Sequence, residues 1–192
     1  MHHSEDLPRH FIEAQSISLT PLVTEGYILD IGGGGEGIIG RLMGDRVIAI
    51  DLYQEELDEA PEGPLKVVMD ARQLSFLDET FNTATAFFSL MYIHNRDHKR
   101  VFQEVFRVLK HGGEFLVWDV VIPKQPENGK DIFVVPIEVE VNNKLIKTAY
   151  GTSWQDKEQN YAYFAKIAEE TGFNILDKDE YDEVYFMRLG KK

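Results

Sequence analysis

Three acidic side chains stand at or near the ends of successive apolar runs in this sequence. Asp30 lies in YILDI, Asp51 in RVIAIDL, and Asp70 ends LKVVMD. If these runs are parallel strands, their carboxyl ends meet at one edge of a sheet, and we expect the three carboxylates along that edge. Clustered carboxylates repel one another, so a cationic ligand would relieve a cost that a pyrophosphate would increase.

A glycine-rich segment follows the first of these aspartates. Residues 32–40 hold six glycines, and Gly32, Gly34 and Gly37 form the pattern GxGxxG. Backbone without side chains allows a ligand to approach closely, and the free amides of a following helix would face that ligand. Asp51 ends the next apolar run after Gly32, a placement that suits a carboxylate that binds both hydroxyls of a ribose. For the glycines alone, a tight strand-to-helix turn without a ligand is the alternative.

Apolar runs of strand length alternate with helical stretches along the first two thirds of the chain. The runs are continuously apolar, which is typical of parallel strands buried on both faces. Two later runs, FNILDKDEYD and EVYFMRLG, are too close in sequence for a crossover and must pair antiparallel. The sequence therefore predicts an α/β fold with a doubly wound seven-stranded sheet, mostly parallel with an antiparallel C-terminal strand, in a single domain over residues 1–192. The five earlier runs are YILDI, RVIAIDL, LKVVMD, TATAFFSL and EFLVWDVVI.

The alternation breaks after the fifth run. Residues 131–150 predict an inserted β-hairpin that turns at Asn142 and Asn143, and that serves as a lid or as the edge of a homodimer. Helices are predicted on both sides of this insertion. They are RHFIEAQSISLTPLV, over the sheet edge and ending near Pro21; RDHKRVFQEVFRVLK, from a cap at Asn95 to Gly112; and Gln155 to Thr171, capped by Asp156 with Gln159 and stopped by Gly172.

Composition excludes several classes of function. The formal charge of -13 disfavours nucleic acid and anionic membranes as partners. The absence of cysteine rules out disulfides and thiolate metal sites. The first residues do not resemble a signal peptide, and no apolar run is long enough for a membrane span, so we expect a cytoplasmic protein.

Five segments, taken in order, resemble the motif series of class I S-adenosylmethionine-dependent methyltransferases. They are ILDIGGGGEG, VIAIDL, MDARQLSF, FFSLMYIH and EVFRVLKHGGEFLVWD, within residues 27–119. The resemblance implies a Rossmann-like methyltransferase fold, S-adenosyl-L-methionine as cofactor and a small-molecule acceptor. One departure lies in the glycine segment, where Glu36 replaces the third glycine of the family's GxGxG pattern.

The resemblance also implies a set of cofactor-binding residues. In the family, residues matching Asp30, Gly32, Gly33 and Gly34 hold the methionine part of the cofactor, and the backbone at the position of Ser89 contacts its amino group. Residues matching Asp51 and Leu52 bind the ribose, and residues matching Asp70 and Ala71 contact the adenine. A general base is needed only if the attacking atom must lose a proton. Tyr92, His94 and Asp119, near the ends of the fourth and fifth strands, are the predicted catalytic residues.

Each of these assignments has a structural alternative. His94 could simply be a polar residue at the start of a helix, without a catalytic role, and Tyr92 could belong to the core. His94 and His98 are four residues apart in sequence, but no third ligand accompanies them, so no metal site is predicted. Five aromatic residues could line an acceptor pocket or pack in the core: Tyr150, Trp154, Tyr161, Tyr163 and Phe164.

Two other functions remain open from the sequence. A nicotinamide-dependent oxidoreductase fits the GxGxxG pattern and Asp51, but not Asp30 directly before the glycines, Asp70 or the reversed final strand pair. A non-catalytic cofactor-binding protein on the same fold is the other alternative, because no strong catalytic signature is present.

Overall fold

The computed structural model describes residues 7–127 and 129–192, and its larger sheet has seven strands. The strands are Arg9–Phe11 (β1), Gln15–Leu19 (β2), Ile28–Ile31 (β3), Val47–Asp51 (β4), Leu65–Val68 (β5), Phe81–Phe87 (β6), Leu109–Val120 (β7), Ile132–Val141 (β8), Lys144–Ser153 (β9), Asn174–Tyr181 (β10) and Val184–Gly190 (β11). The α-helices are Ile38–Met43 (α1), Gln54–Glu59 (α2), Asn95–Val108 (α3) and Tyr161–Thr171 (α4).

The larger sheet has the predicted doubly wound topology. Its strand order is β10-β11-β7-β6-β3-β4-β5. Strands β3 to β7 are parallel to one another, and β11 is antiparallel to both β7 and β10. All four residues of the central strand β3 are buried, because helices or further strands cover both faces of the sheet. The predicted fold class is confirmed.

Helix α3 covers one face of this sheet. Val101, Phe102, Val105 and Val108 are fully buried at helical spacing and pack with apolar residues of β7 and α4. The helix begins at Asn95, with His94 in the N-cap position and without a side-chain cap. It ends at Val108, so the predicted end at Gly112 is wrong. Gly112 lies inside β7, which begins immediately after the helix.

Helix α4 begins later than predicted. Asn160 is its N-cap, and the side-chain oxygen accepts a hydrogen bond from the Tyr163 amide at 2.8 Å, the usual capping contact. The predicted capping pair of Asp156 and Gln159 lies before the helix. The predicted stop at Gly172 is confirmed, since its amide bonds to carbonyls of the last helical turn. Among the described residues, no helix combines the length and the apolar character needed to cross a bilayer.

The predicted N-terminal helix is wrong, because this segment forms strands β1 and β2. In β2, Gln15, Ile17 and Leu19 are buried and the residues between them are exposed, so burial repeats every second residue, as in a strand. Both strands pair in parallel with one edge of β8, and β9 pairs antiparallel with the other edge. We call β1, β2, β8 and β9 the cover sheet. Its buried face packs on α1 and on the carboxyl ends of β6 and β7.

The hairpin of the cover sheet turns where the sequence predicts. Asn142 and Asn143 join β8 and β9, and both have left-handed backbone angles, with φ of 50° and 61°. Such two-residue turns match the twist of the paired strands. The Asn142 side chain also donates to the Arg41 carbonyl of α1 at 2.9 Å, which fastens the hairpin tip to the larger sheet's helix layer.

Replacing Asn143 with glycine should stabilise the protein. Glycine adopts the left-handed angle without the steric cost that a β-carbon adds, so we expect the free energy of unfolding to rise by about 0.5 to 1 kcal/mol. Urea unfolding followed by circular dichroism measures this. Asn142→Gly is the matched control, because it loses the bond to Arg41 and should gain less. A loss of stability in Asn143→Gly would contradict this account of the turn.

Candidate active site

The glycine segment folds back over the neighbouring strand β4 and helix α2. The amides of Gly32 and Gly33 both donate to the Ile50 carbonyl, at 2.9 and 3.0 Å, and the Gly35 amide donates to the Glu56 carbonyl at 2.7 Å. We call residues 32–37 the glycine loop. These bonds hold the loop at the carboxyl end of β3, among the predicted site residues.

The glycines of this loop are packed too tightly for side chains. A β-carbon at Gly33 would lie 2.7 Å from Asp30 Oδ2, and one at Gly34 would lie 2.6 Å from the Glu56 β-carbon and 3.0 Å from Asp51 Oδ2. Real β-carbons do not approach other atoms this closely. The loop therefore lies in contact with the carboxylates of both Asp30 and Asp51, as the spacing of these residues predicts.

Asp30 is a buried carboxylic acid beneath the loop. Only 2% of its surface is exposed, and Thr85 Oγ1 on the adjacent strand β6 donates to its Oδ1 at 2.7 Å. Burial raises the pKa of Asp30 to about 7, and the nearby Asp51 carboxylate adds to this effect. A positively charged ligand group at Oδ2 would therefore favour the ionised form of this acid.

Asp51 and Leu52 lie on the rim beside the loop. Asp51 is half-buried and accepts a hydrogen bond from the Tyr53 amide at 3.0 Å through Oδ1. Its other oxygen, Oδ2, is the one that faces Gly34. Leu52 keeps 50% of its surface exposed. An apolar side chain and a carboxylate at this rim fit a sugar that is bound through its hydroxyls and one ring face.

Asp70 is held by an arginine two residues further on. Arg72 pairs with both oxygens of Asp70, at 2.7 to 3.0 Å, and its remaining nitrogen reaches Asp97 of α3 at 3.1 Å. The arginine holds the pKa of Asp70 below its usual range. Ala71 is half-buried against the core. The Asp70 carboxylate thus orders its own loop, and its predicted contact with adenine stays a prediction.

Ser89 closes the loop from the side of β6. It is buried, and its hydroxyl donates to the Ile31 carbonyl at 2.6 Å. A β-carbon at Gly32 would lie only 2.5 Å from the Ser89 β-carbon. Gly32 and Ser89 therefore bring the ends of β3 and β6 into direct contact.

The predicted catalytic residues occupy three different environments. Asp119 is fully buried, and burial raises its pKa to about 7. His94 is exposed at the start of α3. Tyr92 keeps 49% of its surface exposed. Partial burial of the phenol raises its pKa, and a hydrogen bond to the backbone of Gly151 in the cover sheet acts in the opposite direction. Tyr92 and His94 lie where an acceptor could reach them, whereas Asp119 does not reach the surface.

Asp119 and two neighbours hold the segment that carries Tyr92. The Met91 amide donates to Asp119 Oδ2 at 3.2 Å, and Gln159 Nε2 donates to Oδ1 at 2.9 Å. From the opposite side, Lys157 Nζ donates to the carbonyls of Met91 and Ile93, at 3.0 and 2.7 Å. Burial lowers the pKa of Lys157 to about 8. The backbone on both sides of Tyr92 is therefore fixed.

His98 and His94 lie in different environments, and His98 is part of the core. It is fully buried and makes hydrogen bonds to the Tyr163 hydroxyl and the Leu90 carbonyl, both at 3.0 Å. Burial lowers the pKa of His98 to about 4, so it is a neutral core residue at physiological pH. Of the five aromatic residues considered for an acceptor pocket, Tyr150 faces the glycine loop, while Trp154 and Phe164 are buried in the two cores.

Comparisons with known proteins find a similarity to methyltransferases in this chain. Residues 29–117 match the family model described as a methyltransferase domain. Over this segment, slightly less than half of its length, the chain is similar to the methyltransferase-domain family. The matched segment begins in β3 and ends in β7, so it contains the glycine loop and most of the predicted site.

Individual relatives differ in what their names say they methylate. The chain is 28% identical over 144 residues to sarcosine/dimethylglycine N-methyltransferase of Halorhodospira halochloris, covering 69% of this chain and 50% of that protein. It is 32% identical over 154 residues to the mitochondrial 2-methoxy-6-polyprenyl-1,4-benzoquinol methylase of Xenopus laevis, covering 72% and 49%. The chain thus spans about half the length of these curated relatives.

Solved structures share the fold. A SAM-dependent methyltransferase from Methanosarcina mazei superposes with a TM-score of 0.63 at 18% identity, covering 88% of this chain and 94% of that one. This likeness agrees with the Rossmann-like sheet described above.

The cofactor that the resemblance implies, S-adenosyl-L-methionine, is the cofactor of the family, and the glycine loop packed on Asp30 and Asp51 fits its charged and sugar parts.

Some residues of the site carry no signal in the sequence. Thr85 bonds to Asp30 only because the two residues are register partners on β6 and β3. Gln159 and Lys157 reach Asp119 and the Tyr92 segment from distant parts of the chain. Glu36 was noticed in the sequence as a departure from the glycine pattern but was not predicted as a site residue. A side chain at this position of the loop was the signal that could have suggested such a role.

Proposed function

We propose that the protein transfers a methyl group from S-adenosyl-L-methionine to a small-molecule acceptor. The observation that carries this proposal is the contact of the glycine loop with two carboxylates, one buried and one on the rim. The cofactor supplies an electrophilic methyl group on a positively charged sulfur. The residues of this chain need to hold the two reactants in line and to exclude water.

The roles that we propose follow from the environment of each residue. Asp30 binds the positively charged amino group of the cofactor, and Asp51 with Leu52 binds the ribose. Gly32, Gly33 and Gly34 let the loop pack on Ser89, Asp30 and Glu56, so that its backbone borders the cofactor, and Ser89 offers its carbonyl beside them. The loop of Asp70 and Ala71 lies along the same rim and is the proposed border of the adenine pocket.

On the acceptor side, we propose Tyr92 and His94 as residues that contact the acceptor. Asp119 is better suited to a positioning role, because it is buried and binds the Met91 amide. The cover sheet acts as a lid, since side chains of β9 reach the glycine loop. Because β9 is also an edge strand, the predicted homodimer edge stays a prediction.

The charge and the covered site favour a small acceptor. A formal charge of -13 would repel a nucleic acid, and Thr148 of the cover sheet contacts the glycine loop. We propose a cytoplasmic location, supported by the absence of cysteine, which suits a reducing compartment. Both points are expectations that localisation and binding experiments can check.

Thermal unfolding with candidate ligands tests the proposed function. At about one hundred times the dissociation constant, a true ligand adds about 2.7 kcal/mol, which raises the Tm by roughly 5 to 11 °C. We expect this rise with S-adenosylhomocysteine and S-adenosylmethionine and none with a nicotinamide dinucleotide. A rise with the dinucleotide alone would support the oxidoreductase instead. Binding without turnover of any acceptor would support the non-catalytic alternative.

The affinity for S-adenosylhomocysteine should depend on pH through Asp30. The ionised form binds the ligand's ammonium group, and with a pKa of about 7 its fraction falls from about nine tenths at pH 8 to about one tenth at pH 6. Calorimetric affinity should therefore fall about tenfold between these pH values. Asp30→Asn should bind weakly with a flat profile. An equally flat profile in the unmodified protein would remove Asp30 from this role.

A further inference from the structure

Glu36 adds a side chain to the glycine loop where the family pattern has glycine. The residue is half-buried, and Thr148 Oγ1 on β9 donates a hydrogen bond to its carboxylate. This contact joins the glycine loop to the cover sheet across the site. The carboxylate is therefore placed between the cofactor side and the acceptor side of the proposed site.

The phenol of Tyr150 lies beside the same carboxylate. Tyr150 follows Thr148 on the same face of β9, because alternate residues of a strand share a face. Its ring stacks on Phe88, with ring centroids 5.5 Å apart and an interplanar angle of 17°. Burial and the facing Glu36 carboxylate raise the pKa of the Tyr150 phenol. Tyr92, in the segment after β6, lies beside Gly151, the residue after Tyr150 on β9, and the Glu36 carboxylate raises the pKa of its phenol as well.

The charged side chains that act on the two phenols here are carboxylates, and the Arg41 guanidinium donates to the Glu36 backbone carbonyl, at 2.6 Å, rather than to its carboxylate. Within residues 7–127 and 129–192, no arginine, lysine or histidine forms an ion pair with Glu36. The Asp30 carboxylate also raises the pKa of the Tyr150 phenol, and the Glu56 carboxylate raises the pKa of the Tyr92 phenol. Other carboxylates therefore add to the negative potential here. Ring faces and a carboxylate together attract cations, and they repel carboxylate or phosphate groups.

We infer that the methyl acceptor is an amine, bound in its cationic form by Glu36 beside the rings of Tyr92 and Tyr150. This inference rests on the proposed methyl transfer and specifies its acceptor class. An ammonium nitrogen has no free lone pair, so it must lose one proton before it can act as a nucleophile. The Glu36 carboxylate can accept that proton.

The test uses the full chain and a panel of named probes. Ethanolamine, sarcosine, histamine and benzylamine represent amines, and catechol, thiophenol and benzoate represent other acceptors. Ligand-observed NMR measures the affinity of each probe for the protein saturated with S-adenosylhomocysteine. Formation of S-adenosylhomocysteine from S-adenosylmethionine measures methyl transfer with the same probes. We expect at least one amine both to bind and to be methylated, and the three other probes to do neither.

Variants separate the charge of Glu36 from its structural contact. Glu36→Gln keeps an oxygen for Thr148 but removes the charge, and it should weaken amine binding about tenfold or more. Thr148→Val removes the contact but keeps the charge, and amine affinity should change less than about threefold. Glu140→Gln removes one exposed carboxylate from the same sheet and serves as the matched control. Affinity for S-adenosylhomocysteine should stay within about twofold in all three.

Several results would overturn the amine assignment. They are unchanged amine affinity in Glu36→Gln, methylation of catechol, thiophenol or benzoate in place of amines, and a protein that binds S-adenosylhomocysteine but none of the amines. In these cases the proposed methyl transfer would stand and only the acceptor class would be wrong. A protein that does not bind S-adenosylhomocysteine would refute both proposals together.

Discussion

Replacing Gly32 with alanine should lower the free energy of unfolding by about 3 kcal/mol or more. The backbone of Gly32 is left-handed, with φ of 69°, and an added β-carbon would lie 2.5 Å from the Ser89 β-carbon. The two strands that meet there cannot both keep their positions. Urea unfolding measures the loss, and a Tm roughly 6 to 12 °C lower should accompany it.

A second glycine separates backbone strain from steric contact. Gly26 has nearly the same φ, 70°, but a β-carbon there would meet nothing within 4 Å. Gly26→Ala should therefore cost only about 1 to 2 kcal/mol, the backbone part alone. Equal losses in the two variants would mean that the contact between Gly32 and Ser89 is unimportant. Gly32→Ala should also weaken S-adenosylhomocysteine binding, whereas Gly26→Ala should not.

Replacing Asp51 with alanine should weaken S-adenosylhomocysteine binding by about 1 to 3 kcal/mol, or roughly 5- to 150-fold. The reason is that the ribose hydroxyls would lose the only acceptor that we assign to them, while being shielded from water by the glycine loop. Isothermal titration calorimetry measures the change. Circular dichroism should show an intact fold, because the Asp51 side chain accepts one local bond, from the Tyr53 amide.

Asp58 provides the control for this substitution. It is exposed on α2, the helix that follows Asp51, and its replacement removes the same charge from the same region. Asp58→Ala should leave the affinity for S-adenosylhomocysteine within about twofold. If Asp51→Ala folds and binds as well as Asp58→Ala, the assignment of Asp51 to the ribose is wrong.

The larger sheet was predictable because burial on both faces leaves a direct trace in the sequence. Strands such as β3 and β4 must be apolar along most of their length, and parallel strands bring their carboxyl ends to one edge. Acids at these ends, Asp30 and Asp51, could therefore be placed beside the glycine loop from the sequence alone. Local spacing and strand direction suffice for this part of the site.

The N-terminal part of the cover sheet, β1 and β2, was not predictable in the same way. The segment around β2 has an alternating pattern, but its partner β8 lies far away in the sequence, and a short pattern alone does not exclude a helix. The contacts of the Asp119 side chain could not be predicted from the sequence either. Its position near the end of a strand suggested the acceptor side, yet its partners are Gln159 and the Met91 amide. Contacts between distant segments decide both cases.

The pairing of β2 with β8 also has a consequence for the order of folding. Gln15 pairs with Ile137, so the N-terminal strands have no partner until most of the chain is available. Contacts of such long sequence separation form slowly, because a large loop must close before they stabilise anything. We expect the cofactor-binding sheet to assemble first and the cover sheet to close over it in a slower phase.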